Sequence, residues 1–448
     1  MPQLIVSISG IRGIVGDGLG PDEAMRFGLA FGTYLEGGLV VLGRDSRPSG
    51  PSLAQAFQKG LLATGCRVLD AGILSTPGTA VLVRHLKACG GAVITASHNP
   101  APYNGIKLLS PEGRGLTNDE GQTVVERYRT QAFRQVEPGR AGTVQTVTDG
   151  PEVHVGRVLA TVDARAIRAA RLRTVVDAVN GAGGVEMALL LERLGCACTM
   201  IHGEPTGRFG RGPEPIPENL SDLGEAVRRE GAAIGLALDP DADRLSLVDE
   251  TGRPIGEEYT LALACRHRLT QERGPLAANL STSRMMDDVA REAGVPLYRT
   301  PVGEVNVALA VERYGCLIGG EGNGGVLDPR ITMVRDSLAG AALILEMMAA
   351  SAKSLMQFSA ELPVYIMVKE KVPVGRAEPT RVLRAVREGF KNASVDERDG
   401  LHLGWDEGWL HVRASNTEPI LRILAEARDG RTARDWVRQV VSLVKELP

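Results

Sequence analysis

Apolar residues in this chain come in short continuous runs separated by helical stretches, and that grammar repeats. Val40-Val41-Leu42 reads as a buried strand that ends in the turn chemistry of Gly43-Arg44-Asp45. A helical stretch follows, then Thr64-Gly65 and a second strand through Cys66-Arg67-Val68-Leu69. The pattern returns at 174–202, with a strand from Thr174 to Ala178, the turn Asn180-Gly181-Ala182-Gly183-Gly184, a helix over 185–194, Gly195 and a strand over 196–201. It returns again at 277–300, as a strand from Ala277 to Ser281, a helix over 284–293, Gly294 and a strand over 295–299. Glycine just past a helix is the usual C-terminal stop. Continuous apolar strands alternating with helices predict largely parallel sheets covered on both faces.

The C-terminal part is patterned differently. Glu370-Lys371-Val372-Pro373-Val374 is followed by a stretch at 378–390 that reads as a helix, by 400–404, 409–413 and 420–426 as strands, and by 431–446 as a final helix. That order predicts a small α+β domain. Breaker-rich segments mark boundaries: 138–152 holds Pro138, Gly139, Gly142, Gly150 and Pro151, and 355–370, with Pro363, reads as a linker. A chain of 448 residues suggests about three domains at ~150 residues each.

Charge and composition exclude whole classes of partner. The 51 basic and 54 acidic residues leave a net charge of −3, which offers no attraction to nucleic acid or an anionic membrane. Aromatic residues are only 4%, too few for base-stacking platforms. No apolar run reaches the ~18–20 residues of a membrane span. Met1 to Gly20 lacks the basic and apolar regions of a signal peptide. Six cysteines show neither a CxxC nor zinc spacing and read as small buried thiols of a reducing, cytoplasmic compartment. Only 8 lysines stand against 43 arginines, so a lysine near a motif says more than an arginine does.

Five segments could carry chemistry. Thr95-Ala96-Ser97-His98-Asn99-Pro100 follows the apolar strand Gly91 to Ile94, where α/β sheets place their ligands. No G-x-S-x-G elbow is present and His98 is a poor base for its own neighbour, so phosphoryl acceptance suits Ser97 better than acyl transfer. Asp239-Pro240-Asp241-Ala242-Asp243-Arg244 sits between two apolar runs. Three carboxylates at i, i+2 and i+4 repel one another unless a cation joins them, and hard oxygen ligands point to Mg²⁺ or Mn²⁺. A calcium loop fits poorly, because Arg244 stands where the loop needs glycine and the flanks read as strands. A solvated acidic turn is the alternative.

Gly319-Gly320-Glu321-Gly322-Asn323-Gly324-Gly325 allows close backbone approach, and Glu321 and Asn323 could bind sugar hydroxyls or an amine. Arg413-Ala414-Ser415-Asn416-Thr417-Glu418-Pro419 with Arg422 combines guanidiniums, hydroxyls and loop amides in the manner of a phosphate cradle. Ser9-Gly10-Ile11-Arg12-Gly13 and Gly43-Arg44-Asp45-Ser46-Arg47 add arginines that mean little alone. Lys107, ten residues after Ser97, is either an acid/base or charge clamp, or a snorkelling surface lysine.

Taken in chain order, Ser9 to Gly13, Thr95 to Pro100, Asp239 to Arg244, Gly320 to Gly325 and Arg413 to Pro419 resemble the motifs of the α-D-phosphohexomutase family of phosphoglucomutases, phosphomannomutases and phosphoglucosamine mutases. The resemblance covers nearly the whole chain. It implies three related α/β domains with mixed, largely parallel sheets and a C-terminal α+β domain around one central cleft. The corresponding divisions are 1–150 with the serine loop, 151–252 with the metal loop, 253–362 with the sugar loop and 363–448 with the phosphate loop.

By the same resemblance Ser97 is the phosphoserine, and Asp239, Asp241 and Asp243 hold one Mg²⁺ with an oxygen on Ser97. Arg12, His98, Lys107 and Arg244 surround the reacting phosphate. Glu321 and Asn323 contact the sugar, while Arg413, Ser415, Asn416, Thr417 and Arg422 grip its distal phosphate. The implied partner is a small sugar phosphate, with a bisphosphorylated sugar as activator, and the oligomeric state stays open. Two departures stand out: Asn323 replaces the serine of the common Glu-x-Ser-Gly loop, and Ser7-Ile8-Ser9-Gly10 replaces the commoner Gly-Thr-Ser-Gly. The first is similar to the archaeal-type phosphoglucosamine mutase branch, with a phosphomannomutase/phosphoglucomutase as the other reading. A non-catalytic sugar-phosphate binding protein on this fold would be expected to lack Ser97 or one of the aspartates, and all four are present.

Overall fold

The structure is a computed structural model that describes residues 4–351, 353–373, 378–414 and 420–446. Two compact units form, one from the residues up to Arg268 together with Asn323–Ser359, the other from Leu269–Gly322 and the residues from Ala360 onward.

The first unit is built on two sheets. The larger has its strands in the order Ile5–Ser7, Gly10–Val15, Tyr103–Leu109, Gly90–Ile94, Gly38–Arg44, Cys66–Ile73, Val144–Thr146, with Gly18–Leu19 paired to Gly10–Val15. Strand Gly38–Arg44 is parallel to both neighbours, and Tyr103–Leu109 is antiparallel to the strands on either side of it, Gly90–Ile94 and Gly10–Val15. Antiparallel returns need only short connections, which is why the sheet is mixed rather than wholly parallel. The segment 138–152 does more than mark a boundary: Val144–Thr146 adds an edge strand beside Cys66–Ile73, and the helix Gly150–Leu159 starts within it.

Helices Pro21–Tyr34 and Gly50–Ala63 cover one face of this sheet, and their approach is close. A Cβ on Gly28 would lie 2.3 Å from the carbonyl oxygen of Phe57, so only glycine lets the two backbones meet. Phe57 packs against Phe27, with the rings tilted, and stacks on Phe31, each with ring centroids 6.4 Å away, in a core that includes Val40, Leu42 and Ile94.

The second sheet of this unit runs Ala197–Ile201, Arg173–Asp177, Ile234–Leu238, Leu245–Val248. The first two pairs are parallel and the last antiparallel. This is the repeat expected at 174–202, with one reversed strand added. Helix Ser337–Ala349 is buried almost all round, and with no polar face it lacks the periodicity that would have announced it in the sequence.

In the second unit, Leu276–Asn279 lies between the parallel strands Leu297–Thr300 and Ile318–Glu321, which completes the third repeat. The strands Ile366–Pro373, Ile420–Ala427, Gly408–Ala414, Leu401–Gly404 and Ser394–Asp396 form an antiparallel sheet in that order. Helices Pro379–Gly389 and Gly430–Glu446 bury Val382, Val386, Val437 and Val440 against it. The segment expected as a linker at 355–370 is structured, holding helix Leu355–Ala360 and the start of strand Ile366–Pro373. Cys89 and Cys198 are exposed, contrary to the expectation of buried thiols, whereas Cys66, Cys196, Cys265 and Cys316 are buried.

Replacing Phe57 by alanine opens a cavity in the largest aromatic cluster of the first unit. The expected cost is about 3–5 kcal/mol, seen as an earlier denaturant-induced unfolding transition. An unchanged midpoint would show that this cluster does not hold the two helices on the sheet.

Candidate active site

Two loops leave the carboxyl ends of adjacent parallel strands side by side. Arg44 and Ile94 are register partners, and the Asp45 amide donates to the Ile94 carbonyl at 3.0 Å. The chain therefore delivers Asp45-Ser46-Arg47 next to Thr95-Ala96-Ser97. Lys107 comes to the same place because it pairs with Val93 on one side and Gly10 on the other, and Arg12 lies one strand further out, opposite Gly105. The aspartate motif is the turn between the antiparallel strands Ile234–Leu238 and Leu245–Val248, closed by the pair Leu238 and Leu245.

These loops meet at Ser97. Its hydroxyl donates to Oδ2 of Asp239 at 2.9 Å and lies 3.4 Å from Nδ1 of His98. Asp239, Asp241 and Asp243 are fully buried, which excludes the solvated acidic turn. Each can place one carboxylate oxygen within 4.8 Å of the others, the one such group of metal-ligating side chains among the described residues. Lys107 Nζ donates to Oδ2 of Asp241 at 2.6 Å and to Oδ2 of Asp243 at 3.0 Å, which is not the setting of a snorkelling surface lysine. Arg335 donates to Oδ2 of Asp243 at 2.7 Å. Thr76 Oγ1 donates to Oδ2 of Asp241 at 2.6 Å.

The electrostatics follow from this crowding. Burial, then the charges of Asp243 and Asp241, push Asp239 well above the usual carboxylate range. Burial works against Asp243 too, but Arg335, Lys107 and Arg244 outweigh it and hold that carboxyl well below the usual range. Burial, then Arg244 and Arg12, keeps the His98 ring neutral. Oδ1 of Asp241 and Oδ1 of Asp243 are buried without a hydrogen-bond partner. Arg244 Nε approaches Oδ1 of Asp243 only to 3.8 Å, as an ion pair. A buried carboxylate oxygen without a hydrogen bond is costly, and two of them beside Asp239 fit a hard divalent cation such as Mg²⁺.

Arg12 Nη1 donates to Oδ1 of Asn99 at 2.8 Å, and Arg244 Nη1 donates to Oε1 of Glu214 at 2.8 Å. In the second unit, Glu321 ends the strand Ile318–Glu321 and accepts from Asn279 Nδ2 at 2.7 Å and from the Gly303 amide at 3.2 Å. Arg413 and Arg422 are register partners on adjacent antiparallel strands. Directly opposed side chains share one face of the sheet, so two guanidiniums stand together there, an arrangement that repels unless an anion joins it. Burial lowers the affinity of Arg413 for its proton, and Arg422 adds to that, while Asp399 and Glu321 oppose it. Asn323 is half-buried in the glycine turn after Glu321. Next to it, Gly324 at φ +84° would place a Cβ 2.3 Å from the Leu245 carbonyl oxygen, so this turn requires glycine. Ser415, Asn416 and Thr417 lie outside the described residues.

Residues 4–135, 152–252 and 256–365 match the phosphoglucomutase/phosphomannomutase alpha/beta/alpha domains I, II and III, and residues 368–443 match the C-terminal domain of that family. The chain belongs to the phosphoglucomutase/phosphomannomutase family. A protein named phosphoglucomutase/phosphomannomutase from Thermococcus kodakarensis is 40% identical over 98% of this chain and 97% of its own. One named probable phosphoglucosamine mutase from Methanopyrus kandleri is 38% identical with the same coverage. Among solved structures, a phosphoglucomutase/phosphomannomutase family protein from Burkholderia thailandensis superposes with a TM-score of 0.85 at 27% identity, over 99% of both chains. Family membership agrees with the fold read from the pattern: three α/β units and a C-terminal α+β sheet with mixed strand directions.

Three residues of this site escaped the sequence reading. Arg335 and Thr76 carry no local motif, and only folding brings them to the aspartates. Arg47 lay in a noted motif but was discounted because arginine is abundant. It is fully buried, and its fork makes five side-chain bonds, to Asp45 Oδ2 (3.0 Å) and to the carbonyls of Pro100 (2.9 Å), Tyr103 (2.8 Å), Ser97 (2.7 Å) and Asn99 (2.7 Å). The face of Phe209 lies against it, 4.9 Å away. Ser97 itself sits at φ +48°, a left-handed conformation that a serine holds only under external constraint. The Arg47 fork and Thr95 Oγ1, which accepts from the Ser97 amide at 2.8 Å, supply that constraint.

Arg47→Met keeps much of the volume but removes all five donors and leaves the Asp45 carboxylate buried without its charge partner. The expected loss is about 3–5 kcal/mol of stability in denaturant titration. Wild-type stability would mean that the fork does not anchor the serine loop.

Proposed function

We propose that this protein is a phosphohexomutase that interconverts the 6-phospho and 1-phospho forms of a hexosamine, glucosamine phosphate first, through a phosphoserine and a bisphosphate intermediate. The observation that carries the reading is the Ser97 hydroxyl hydrogen-bonded to Asp239 within a buried carboxylate triad, flanked by Lys107 and Arg335. Membership of the phosphoglucomutase/phosphomannomutase family supports it.

In this reading phospho-Ser97 faces the free hydroxyl of a bound sugar monophosphate. The bond from Ser97 Oγ to phosphorus breaks as the sugar oxygen forms its own, and the proton lost by the sugar hydroxyl is balanced by the one that Ser97 Oγ takes up to become a hydroxyl again. The bisphosphate then reorients, and its other phosphoryl group passes back to Ser97. Such transfers depend on positioning and charge neutralisation more than on covalent activation. Lys107, Arg12 and Arg244 are the cationic groups for that task, with the neutral ring of His98 beside Ser97. Asp239, Asp241 and Asp243, with an oxygen on Ser97, would hold one Mg²⁺, which when bound neutralises charge on the phosphoryl oxygens. Glu321 and Asn323 are the proposed sugar contacts. Arg413 and Arg422, with Ser415, Asn416 and Thr417, are the proposed grip on whichever phosphate is not reacting. A bisphosphorylated sugar is the expected activator, because it reloads Ser97 if the intermediate escapes.

The preference for glucosamine phosphate rests on Asn323 in the sugar loop and on the relatives named phosphoglucosamine mutase. The 40%-identical relative named phosphoglucomutase/phosphomannomutase favours a second reading, in which mannose and glucose phosphates are the substrates. Among the described residues no helix is long and apolar enough to cross a membrane, and the proposed setting is the cytoplasm.

Ser97→Ala should abolish turnover at saturating substrate, and mass spectrometry of the active wild-type protein should find one phosphate on the peptide containing Ser97. Normal mutase rates in the alanine variant would sink the covalent role. Across glucosamine, glucose and mannose phosphates, kcat/KM should be highest for glucosamine phosphate; a clear preference for mannose phosphate promotes the second reading.

A further inference from the structure

A buried histidine lies between two carboxylates away from the reacting groups. His154, on helix Gly150–Leu159, is fully buried. Its Nδ1 is 2.7 Å from Oε1 of Glu186 and its Nε2 is 2.9 Å from Oδ2 of Asp336. An ionised carboxylate only accepts hydrogen bonds, so a ring between two of them must donate from both nitrogens and carry a positive charge. Burial disfavours that charge, yet Asp336 and Glu186 outweigh it and the ring is pushed up to about 10.

Each carboxylate leads to the metal loop from a different side. Glu186 accepts from the Ser75 amide and from Ser75 Oγ, both at 2.9 Å. The next residue, Thr76, donates its amide to the Asp241 carbonyl at 2.9 Å and its hydroxyl to Oδ2 of Asp241 at 2.6 Å. Asp336 caps helix Ser337–Ala349 by accepting from the Leu338 and Ala339 amides at 2.8 and 3.2 Å. Ser337, the first residue of that helix, donates its amide at 3.2 Å and its hydroxyl at 2.6 Å to the carbonyl of Ala242. Ala242 sits at φ +55° between Asp241 and Asp243, a conformation an alanine does not keep unaided. Four places in the chain, 75–76, His154, Glu186 and 336–337, thus close a ring of bonds around the aspartate turn, and the His154 cation joins its two arms.

We propose that His154 is a positioning residue for the metal site: it holds Thr76 and Ser337 against Asp241 and Ala242, and so sets the spacing of the three aspartates. The proposal rests on the reading that Asp239, Asp241 and Asp243 bind a divalent cation. His154 touches none of these aspartates and acts only through Glu186 and Asp336.

The test measures Mg²⁺ binding directly, by calorimetry on the full-length protein, alongside kcat and KM at a series of Mg²⁺ concentrations. Four proteins are compared: wild type, Asp241→Ala, His154→Gln and Ser337→Ala. Loss of binding in Asp241→Ala establishes the triad as the site; unchanged binding there overturns that reading and the present proposal with it. His154→Gln should weaken Mg²⁺ affinity about tenfold, the low end for groups that orient metal ligands. Its KM for the sugar phosphate should stay within about twofold of wild type, and its kcat should recover at saturating Mg²⁺, as expected when only ligand orientation is disturbed. Ser337→Ala, which removes one hydroxyl and leaves the ion cluster intact, should weaken Mg²⁺ binding in the same direction. A His154→Gln protein with a lowered melting temperature but wild-type Mg²⁺ affinity would overturn the proposal. If His154→Gln does not fold, Ser337→Ala decides: weakened binding supports the proposal and wild-type binding overturns it.

Discussion

Three carboxylates confined within 4.8 Å, all sealed from water, set the constraint around which the first unit is arranged. In isolation such a group would shed charge by taking up protons, and Asp239 is already pushed that way. Lys107 and Arg335 counter the repulsion by direct ion pairs. Lys107 arrives on the strand Tyr103–Leu109, Arg335 just before helix Ser337–Ala349, and the aspartates on a turn between two other strands. The sheets and the long buried helix therefore act as a frame that brings distant charges to one point. The two carboxylate oxygens still without hydrogen bonds, on Asp241 and Asp243, mark where a divalent cation would complete the balance.

The same frame carries the cost of unusual backbone. Ser97 and Ala242 both adopt left-handed conformations that side chains disfavour. Each is held by bonds to its carbonyl from another part of the chain, Arg47 for Ser97 and Ser337 for Ala242. Strained residues at a site are consistent with a surrounding structure that over-determines them. Arg47 and Ser337 do that here without touching the reacting groups of the proposed mechanism. They also show that sites of this kind depend on residues whose own chemistry is plain.

Family membership and geometry support one another at different levels. The match to phosphoglucomutase/phosphomannomutase domains over most of the chain establishes the fold and kind of enzyme. It does not by itself distinguish glucosamine from mannose or glucose phosphate. In the proposed function that choice falls to the glycine turn after Glu321, where Asn323 presents an amide. An amide offers two donors and an acceptor where a hydroxyl offers one donor and two lone pairs, so the loop can address a different ring substituent.

Much of this was legible in the order of residues, because it depends on local physics. Strand runs, glycine stops and the pattern change after residue 370 follow from burial and turn preferences that act over a few residues. The aspartate triplet was legible for the same reason: close spacing forces the carboxylates together whatever the fold. Lys107 stood out only because lysine is rare here, and its alternative as a surface residue could be settled only by the strand pairing that carries it to Asp241. Helix Ser337–Ala349 and the structured segment 355–373 were hidden, since a helix buried on all sides shows no periodic pattern and Pro363 looked like a breaker. The contributions of Arg47, Thr76, Arg335 and the His154 bridge were decided by tertiary structure alone. Their partners lie from 2 to 182 positions away in the chain, with Asp45 at one extreme and Asp336 at the other. A hydrogen bond across such distances leaves no spacing in the sequence, because its partners are chosen by how strands and helices pack.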